Sequence, residues 1–382
     1  MKKLLFLLML SFVLVSLGGC SQKPKLLFLN WGEYINDEAV RLFEEEYGVN
    51  VVIDIADSNE LFYSKIISGT TAYDLVCPSD YMIEKMYLKG LLQEIDLSRL
   101  ANYNLVSNPF MPGVIGIQSQ MFEGNESYGI PYFWGTFGLM YNKRKAGLEE
   151  AITTYGWQAY FDDAYLPQDT RVGMYDVPRF AYAAAMFYNH LSPNLATAES
   201  LELAQTTLSM RQYDEWGDDT LKKGISAGNL DLAFVYTGDF LDALYIQLGD
   251  DPDINNVLFD IYIPEETIAF VDELVIPKQA RHVDLAYKFM DFFLRPEIAY
   301  LNASVVGYCT PLTLAYDQIV DEDYSNEEDP VWVATWAYAT NKYYPKPSPL
   351  DPVQYKGTPI ANLHRNFLKE INTMVSNVKA LG

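Results

Sequence analysis

The sequence predicts an α/β protein of two lobes, on three observations. Apolar runs rich in β-branched and aromatic residues alternate with amphipathic helical stretches, the signature of parallel α/β layers. About 360 residues remain beyond an amino-terminal leader, more than one hydrophobic core normally serves. No low-complexity linker divides them, so the lobes are expected to share strands rather than to be strung like beads.

At the start of the chain, Lys2 and Lys3 precede an apolar run over 4–17. The run is too short for a comfortable membrane span and is laid out as a secretory signal. It ends in Leu17-Gly18-Gly19-Cys20, which resembles the bacterial lipobox, where the thiol is lipidated and the chain is cut just before it. An ordinary secretory signal with an incidental cysteine is the alternative. The expectation is a signal peptide over 1–19 and a lipidated tether over 20–25. Acyl chains on Cys20 would then hold the protein outside the cytoplasm, with no transmembrane helix of its own.

Strands are predicted at 26–31, 49–55, 74–77, 136–141, 171–175, 232–236, 257–263 and 273–276. Between the first two, Val40, Phe43 and Tyr47 recur at helical spacing, with Asn36 as cap and Gly48 as stop, which predicts a helix over 37–47. Stretches 58–68 and 80–89 repeat the arrangement, and 282–294 is a further amphipathic helix stopped by Pro296. The acidic segment 321–330 and the Pro-rich segment 344–352 read as solvated loops. Crossings between the lobes are placed at 135–141 and near 268–276. One lobe is then 26–135 plus 271–316, and the other 136–270 plus 317–382.

Hydrophobic residues make up 49% of the chain, so it is globular. The leader takes two of the 27 basic residues, leaving 25 against 51 acidic ones, which argues against nucleic acid and anionic membrane surfaces as partners. Cys77 and Cys309 could form one disulfide in an oxidising compartment or serve as small buried hydrophobes. Their spacing excludes a CxxC motif. The three histidines lie far apart with no HExxH, and neither a GxSxG nor a Walker A pattern occurs. No catalytic motif, metal site or cofactor is therefore read from the chain.

In open α/β sheets the ligand sits beyond the carboxyl ends of the strands. Those ends carry Trp31-Gly32-Glu33-Tyr34, Pro78-Ser79-Asp80-Tyr81, Tyr236-Thr237-Gly238-Asp239 and Phe270-Val271-Asp272, and Gly307-Tyr308-Cys309-Thr310-Pro311 follows the late helix. Each holds an aromatic residue and most also hold a carboxylate. Together these suit an ammonium group, held by ion pairing and by the ring quadrupole, with methylenes lying on ring faces.

Seven stretches carry a family resemblance: Asn30-Trp31-Gly32-Glu33-Tyr34, Ser58-Asn59-Glu60, Tyr73-Asp74-Leu75-Val76-Cys77-Pro78-Ser79, Ile130-Pro131-Tyr132-Phe133-Trp134-Gly135, Asp272-Glu273-Leu274-Val275-Ile276-Pro277, Phe293-Leu294-Arg295-Pro296 and Gly307-Tyr308-Cys309-Thr310-Pro311. In order and spacing the chain resembles, over nearly all its mature length, the bacterial polyamine-binding proteins that deliver spermidine or putrescine to ABC importers. The resemblance implies two α/β lobes of the type II periplasmic-binding-protein kind, closing on ligand like a hinged clamp. It implies Trp31 and Tyr34 along one side of the ligand, Ser79 and Tyr81 nearby, Glu33 able to meet an amine, and Asp272 as the central amine-pairing carboxylate. Tyr236, Phe270 and Tyr308 would complete an aromatic box, with Asp239 of the putrescine type and Gln354 as a polar contact. One departure stands out. Asp176-Val177-Pro178-Arg179-Phe180 sets Phe180 where the family supplies a glutamate for the far amine, so Asp176 or Asp239 serves that end, or the end is less cationic.

The expected function is a lipid-anchored, monomeric solute-binding protein that captures putrescine or spermidine and docks on an ABC permease. A different small solute in the same fold is one alternative. An extracytoplasmic glycosidase is the other, since aromatic platforms with two carboxylates also describe a sugar-cleaving site.

Overall fold

The computed structural model describes residues 23–122, 124–320 and 357–381. Cys20 with its leader, both expected loops and Gln354 lie outside these residues. The first three strands, β1 (Lys25–Asn30), β2 (Asn50–Ile55) and β3 (Leu75–Val76), form a parallel sheet in the order β2-β1-β3. Leu26, Phe28 and Leu29 on β1 are fully buried, as expected of a strand covered on both faces. The helix Asp37–Tyr47 returns the chain from β1 to β2, and its ends are those the sequence signals. The Asn36 side chain accepts from the backbone N–H groups of Glu38 and Ala39, and Gly48 closes the helix at φ 64°, which glycine adopts without steric penalty. The helices Asn59–Ser68 and Asp80–Leu88 follow in the same way.

The second sheet is built on β4 (Ile130–Asn142), a strand of 13 residues, all buried. Its first half, to Thr136, runs antiparallel to β9 (Ile268–Leu274), and its second half, from Phe137, runs antiparallel to β7 (Leu232–Tyr236) and β8 (Phe259–Tyr262). Beyond β7 lie β5 (Val172–Tyr175) and β6 (Glu215–Gly217), both parallel to it, and β10 (Thr358–Pro359) borders β9. Isolated bridges Val76↔Val275 and Ser79↔Asp272 tie β9 back to the first sheet. The architecture is the expected two-lobe α/β one, with β9 linking the two sheets.

Two elements differ from the sequence reading. The strand expected over 273–276 begins earlier, at Ile268, because Asp272 and Glu273 interrupt the apolar run yet are both buried within it. Glu273 is held there by Asn125 Nδ2 and Gln118 Nε2, which donate at 3.0 and 3.2 Å, and burial pushes its carboxyl up to about 8. The strand expected over 136–141 extends back to Ile130, with a register shift between Pro131 and Phe133 that accommodates the missing N–H of the proline. Cys77 and Cys309 are both fully buried, and no disulfide joins them.

Candidate functional site

The turn Trp31-Gly32-Glu33-Tyr34 is fixed from below. Glu33 takes the left-handed conformation at φ 52°, and the Tyr34 carbonyl accepts from Asn30 Nδ2 at 3.2 Å and from the Tyr132 hydroxyl at 3.1 Å. Tyr132 is in turn bonded by Asn302 Nδ2 at 3.0 Å, and Asn302 Oδ1 accepts from the Asn36 N–H at 2.8 Å. This buried network joins β1, β4 and the helix Pro296–Val306, so the direction of the Tyr34 ring is set by the fold. The Tyr34 hydroxyl donates to Asp272 Oδ2 at 2.7 Å.

Asp272 is 4% exposed and its second oxygen, Oδ1, is buried without a hydrogen-bond partner. Burial pushes its carboxyl up to about 6, opposed by the Tyr34 and Ser79 hydroxyls. Ser79 precedes the helix Asp80–Leu88 but does not cap it through its side chain. Its hydroxyl instead accepts from Asn59 Nδ2 at 3.0 Å, and its N–H donates to Asn59 Oδ1 at 3.0 Å, which holds it beside β9. Asp80 accepts from the Val271 N–H at 3.3 Å and ties the start of that helix to the same strand.

A second buried carboxylate stands on the other side. Asp239 lies in the first turn of the helix Thr237–Asp250 and is 6% exposed. Lys222 Nζ is 3.6 Å from its Oδ1, while its Oδ2 is buried without a partner. Burial pushes this carboxyl up to about 7, with Lys222 opposing the rise. Aromatic rings connect the two acids. Tyr34 meets Tyr308 edge-on at 4.8 Å between ring centres, Tyr308 lies 6.2 Å from Phe270, and Phe270 lies 5.2 Å from Tyr236 at 87°. Tyr236 continues to Tyr175 at 5.5 Å and to Phe180 at 5.8 Å. Burial, then Asp239, Tyr175 and Asp272, hold the Tyr308 phenol far above its ordinary range, so both acids act on this one ring. The ring lies against the helix Thr237–Asp250 where Gly238 has no side chain: a Cβ there would stand 2.0 Å from Tyr308 Cζ.

Of the residues named from the sequence, Tyr34, Ser79, Tyr236, Phe270, Asp272, Tyr308 and Asp239 therefore form one contiguous arrangement. Trp31 packs on Phe62 at 4.7 Å with its indole N–H buried and unpartnered, and half-buried Tyr81 opens the helix beside Ser79. Glu33 is exposed on its turn and is not drawn into the wall. Of the two acids open for the far end, Asp176 is exposed and ion-paired with Lys379. Phe180, where a glutamate is expected by resemblance, is a member of the ring wall and only 5% exposed.

Three residues were missed. Tyr175 ends β5 and was within reach of the strand-end rule. Arg179 is 8% exposed; its Nη2 donates to Asn194 Oδ1 at 2.7 Å, its Nε and Nη1 have no partner, and burial pulls its guanidinium down to about 10. Lys222 reaches Asp239 and Asp242 from a separate helix, Asp219–Ser226, and no local spacing signals that meeting. Among the described residues no group of three or more His, Cys, Asp or Glu side chains could hold a metal ion, and no helix is long and apolar enough to cross a membrane.

Comparison with known proteins assigns the chain to a family. The putrescine-binding periplasmic protein SpuD of Pseudomonas aeruginosa is 28% identical over 313 residues, covering 80% of this chain and 83% of that protein. The putrescine-binding periplasmic protein PotF of Escherichia coli is 29% identical over 318 residues, covering 79% and 83%. The solved spermidine/putrescine ABC transporter substrate-binding protein PotD of Streptococcus pneumoniae superposes with a TM-score of 0.69 at 24% identity, over 94% of this chain and 99% of that one, which shows the shared fold. A family model matches residues 29–300, and the chain belongs to the bacterial extracellular solute-binding proteins: it binds a solute and is not an enzyme.

Proposed function

We propose that this protein captures a short polyamine of the putrescine type between its lobes and hands it to an ABC permease. One observation carries the reading. Asp272 and Asp239 are both buried, each has one oxygen engaged by a neighbour and one oxygen without a partner, and a continuous wall of rings runs between them. An ammonium at each end would supply the missing donors, and the methylenes would lie on Tyr308, Phe270 and Tyr236. The names of the similar proteins support the same ligand class. In this reading Trp31, Ser79 and Tyr81 line the near side, Gln354 adds a polar contact, and Glu33 stays at the rim. The lobes are 26–135 with 271–316 and 136–270 with 317–382, hinged on β4 and β9. The protein is a monomer anchored by acyl chains on Cys20, so Cys20→Ala should release it from membranes into the soluble fraction.

The deciding experiment is calorimetric titration with putrescine, spermidine, butylamine and 4-aminobutyrate. The last compound tests a second reading favoured by Arg179, whose two unpartnered nitrogens would suit an amine that also carries an acid. Tight binding of putrescine supports the first reading and preference for 4-aminobutyrate the second. No response to any amine would remove both.

Binding should also depend on pH in a definite direction. An ammonium pairs only with an ionised carboxylate, and burial has raised Asp239 to about 7 and Asp272 to about 6. Affinity for putrescine should therefore be full near pH 8 and fall below pH 7, by roughly tenfold per pH unit for each acid once below its pKa, with protons released on binding in that range. Without ligand the sign reverses. A carboxyl whose folded pKa is raised contributes stability that is present below its unfolded pKa near 4 and is lost as pH rises to about 6 or 7. Affinity that stays level from pH 8 to 5.5 would exclude both acids from the contact.

A further inference from the structure

The Lys222 ammonium stands among three carboxylates: Asp242 Oδ2 at 2.7 Å, Asp239 Oδ1 at 3.6 Å and Asp219 Oδ2 at 3.7 Å. Its side chain is 10% exposed and that of Asp239 8%, whereas Asp242 is 33% exposed and Asp219 59%. The lysine is therefore the charge partner of the one acid in this group that also faces the ring wall. Asp239 is shared, with Oδ1 toward Lys222 and an unpartnered Oδ2 left over.

From this sharing we infer that Lys222 is a specificity-determining residue. It is a tethered ammonium that already occupies part of the far acid group and so limits how many positive charges the cleft accepts. The inference rests on the polyamine reading and adds the discrimination within that class. A ligand ammonium at Asp239 Oδ2 sits one carboxylate width from the lysine, in a buried place where like charges repel strongly. The lysine also opposes the rise that burial imposes on the Asp239 carboxyl, so one ammonium meets a more readily ionised acceptor. A second positive charge at the same end meets Lys222 instead of a free acid. Asp242, one helical turn from Asp239, adjusts this balance, because its 2.7 Å contact draws the ammonium away from Asp239.

The test compares ligands of rising charge. Butylamine, putrescine and spermidine are titrated into the wild type, Lys222→Met, Lys222→Arg and Asp242→Asn at pH 8. Lys222→Met should leave butylamine within about twofold and should strengthen spermidine relative to putrescine by tenfold or more. Lys222→Arg should keep the wild-type order. Asp242→Asn changes a partly exposed side chain and leaves the lysine leaning on Asp239, so it should weaken putrescine and spermidine but not butylamine. This variant also covers the case in which Lys222→Met fails to fold.

Equal weakening of all three amines by Lys222→Met would mark a purely structural lysine and overturn the inference. So would an unchanged spermidine-to-putrescine ratio, or an Asp242→Asn protein that treats the three amines as the wild type does. A wild type that binds none of them would remove the polyamine reading and this inference together. Wild-type binding with a flat ratio across the variants would remove the inference alone.

Discussion

Asp272→Ala is expected to weaken putrescine binding by at least about 2 kcal/mol, some thirtyfold, as for a desolvated charged hydrogen bond. The carboxylate is buried and its Oδ1 has no partner within the protein, so a ligand ammonium is the donor it lacks. The same substitution should do little harm to the unliganded fold, because the charge is already disfavoured by burial, as its rise to about 6 indicates. Its removal leaves the Tyr34 hydroxyl without its acceptor, a loss of about 1 kcal/mol that relief of the buried charge offsets. Calorimetry and thermal melting separate the two effects: affinity should collapse while the melting temperature without ligand stays near that of the wild type. Unchanged affinity would take Asp272 out of the binding site.

Gly238→Ala should produce the second large effect, and by a different route. The added Cβ would stand 2.0 Å from Cζ and 2.1 Å from Cε2 of Tyr308, well inside any real contact. The Tyr308 ring cannot step aside freely, since Tyr34 and Phe270 flank it. The clash falls between the helix Thr237–Asp250 and the loop after the helix Pro296–Val306, which the proposed division puts on different lobes, so in that reading closure suffers and the separate lobes do not. Overpacking of this kind costs about 1–3 kcal/mol, and in an open–closed equilibrium that amount is subtracted from the apparent affinity. Within its own helix alanine is favoured over glycine by ~1 kcal/mol, so the open protein should be no less stable than the wild type. The expected result is a weaker putrescine complex without the ligand-induced compaction that small-angle scattering would register in the wild type. Normal affinity together with normal compaction would show that Tyr308 and Gly238 do not meet on closure.

How much of this could be read from residues alone followed the reach of each signal. β1 and the helix after it announce themselves locally, through an unbroken apolar run, an Asn cap and a Gly stop, and the structure matches them to within a residue. β6 and β10 have three and two residues, too few to show a period, and they exist because neighbours pair with them. β9 is hard to bound from sequence because two acids interrupt its apolar run, and residues distant in sequence, Tyr34, Asn125 and Gln118, supply the hydrogen bonds that hold them inside. The site divides in the same way. Strand-end aromatics and Asp272 stand out as candidates through position and resemblance. Local sequence does not separate Asp176 from Asp239, because both carry the same charge and what differs is set by distant packing: Asp176 is exposed beside Lys379, whereas Asp239 is buried beside Lys222 with its Oδ2 unpartnered.

The reach of β9 back to the first sheet also bears on how the protein is made. Asp272 meets a tyrosine hydroxyl 238 positions earlier, and the Val271 N–H meets an aspartate 191 positions earlier. The first sheet leaves the ribosome long before β9, so contacts of this span must wait for the intervening segment to emerge and collapse. Each sheet lies on its own continuous stretch, with strands between 25 and 76 for the first and between 130 and 359 for the second, and the contacts of β9 with Tyr34, Ser79 and Asp80 join the two. Contacts of this span add loop-closure entropy to assembly, so the two sheets should dock on each other after each has formed, and the Tyr34–Asp272 contact should be among the last to appear.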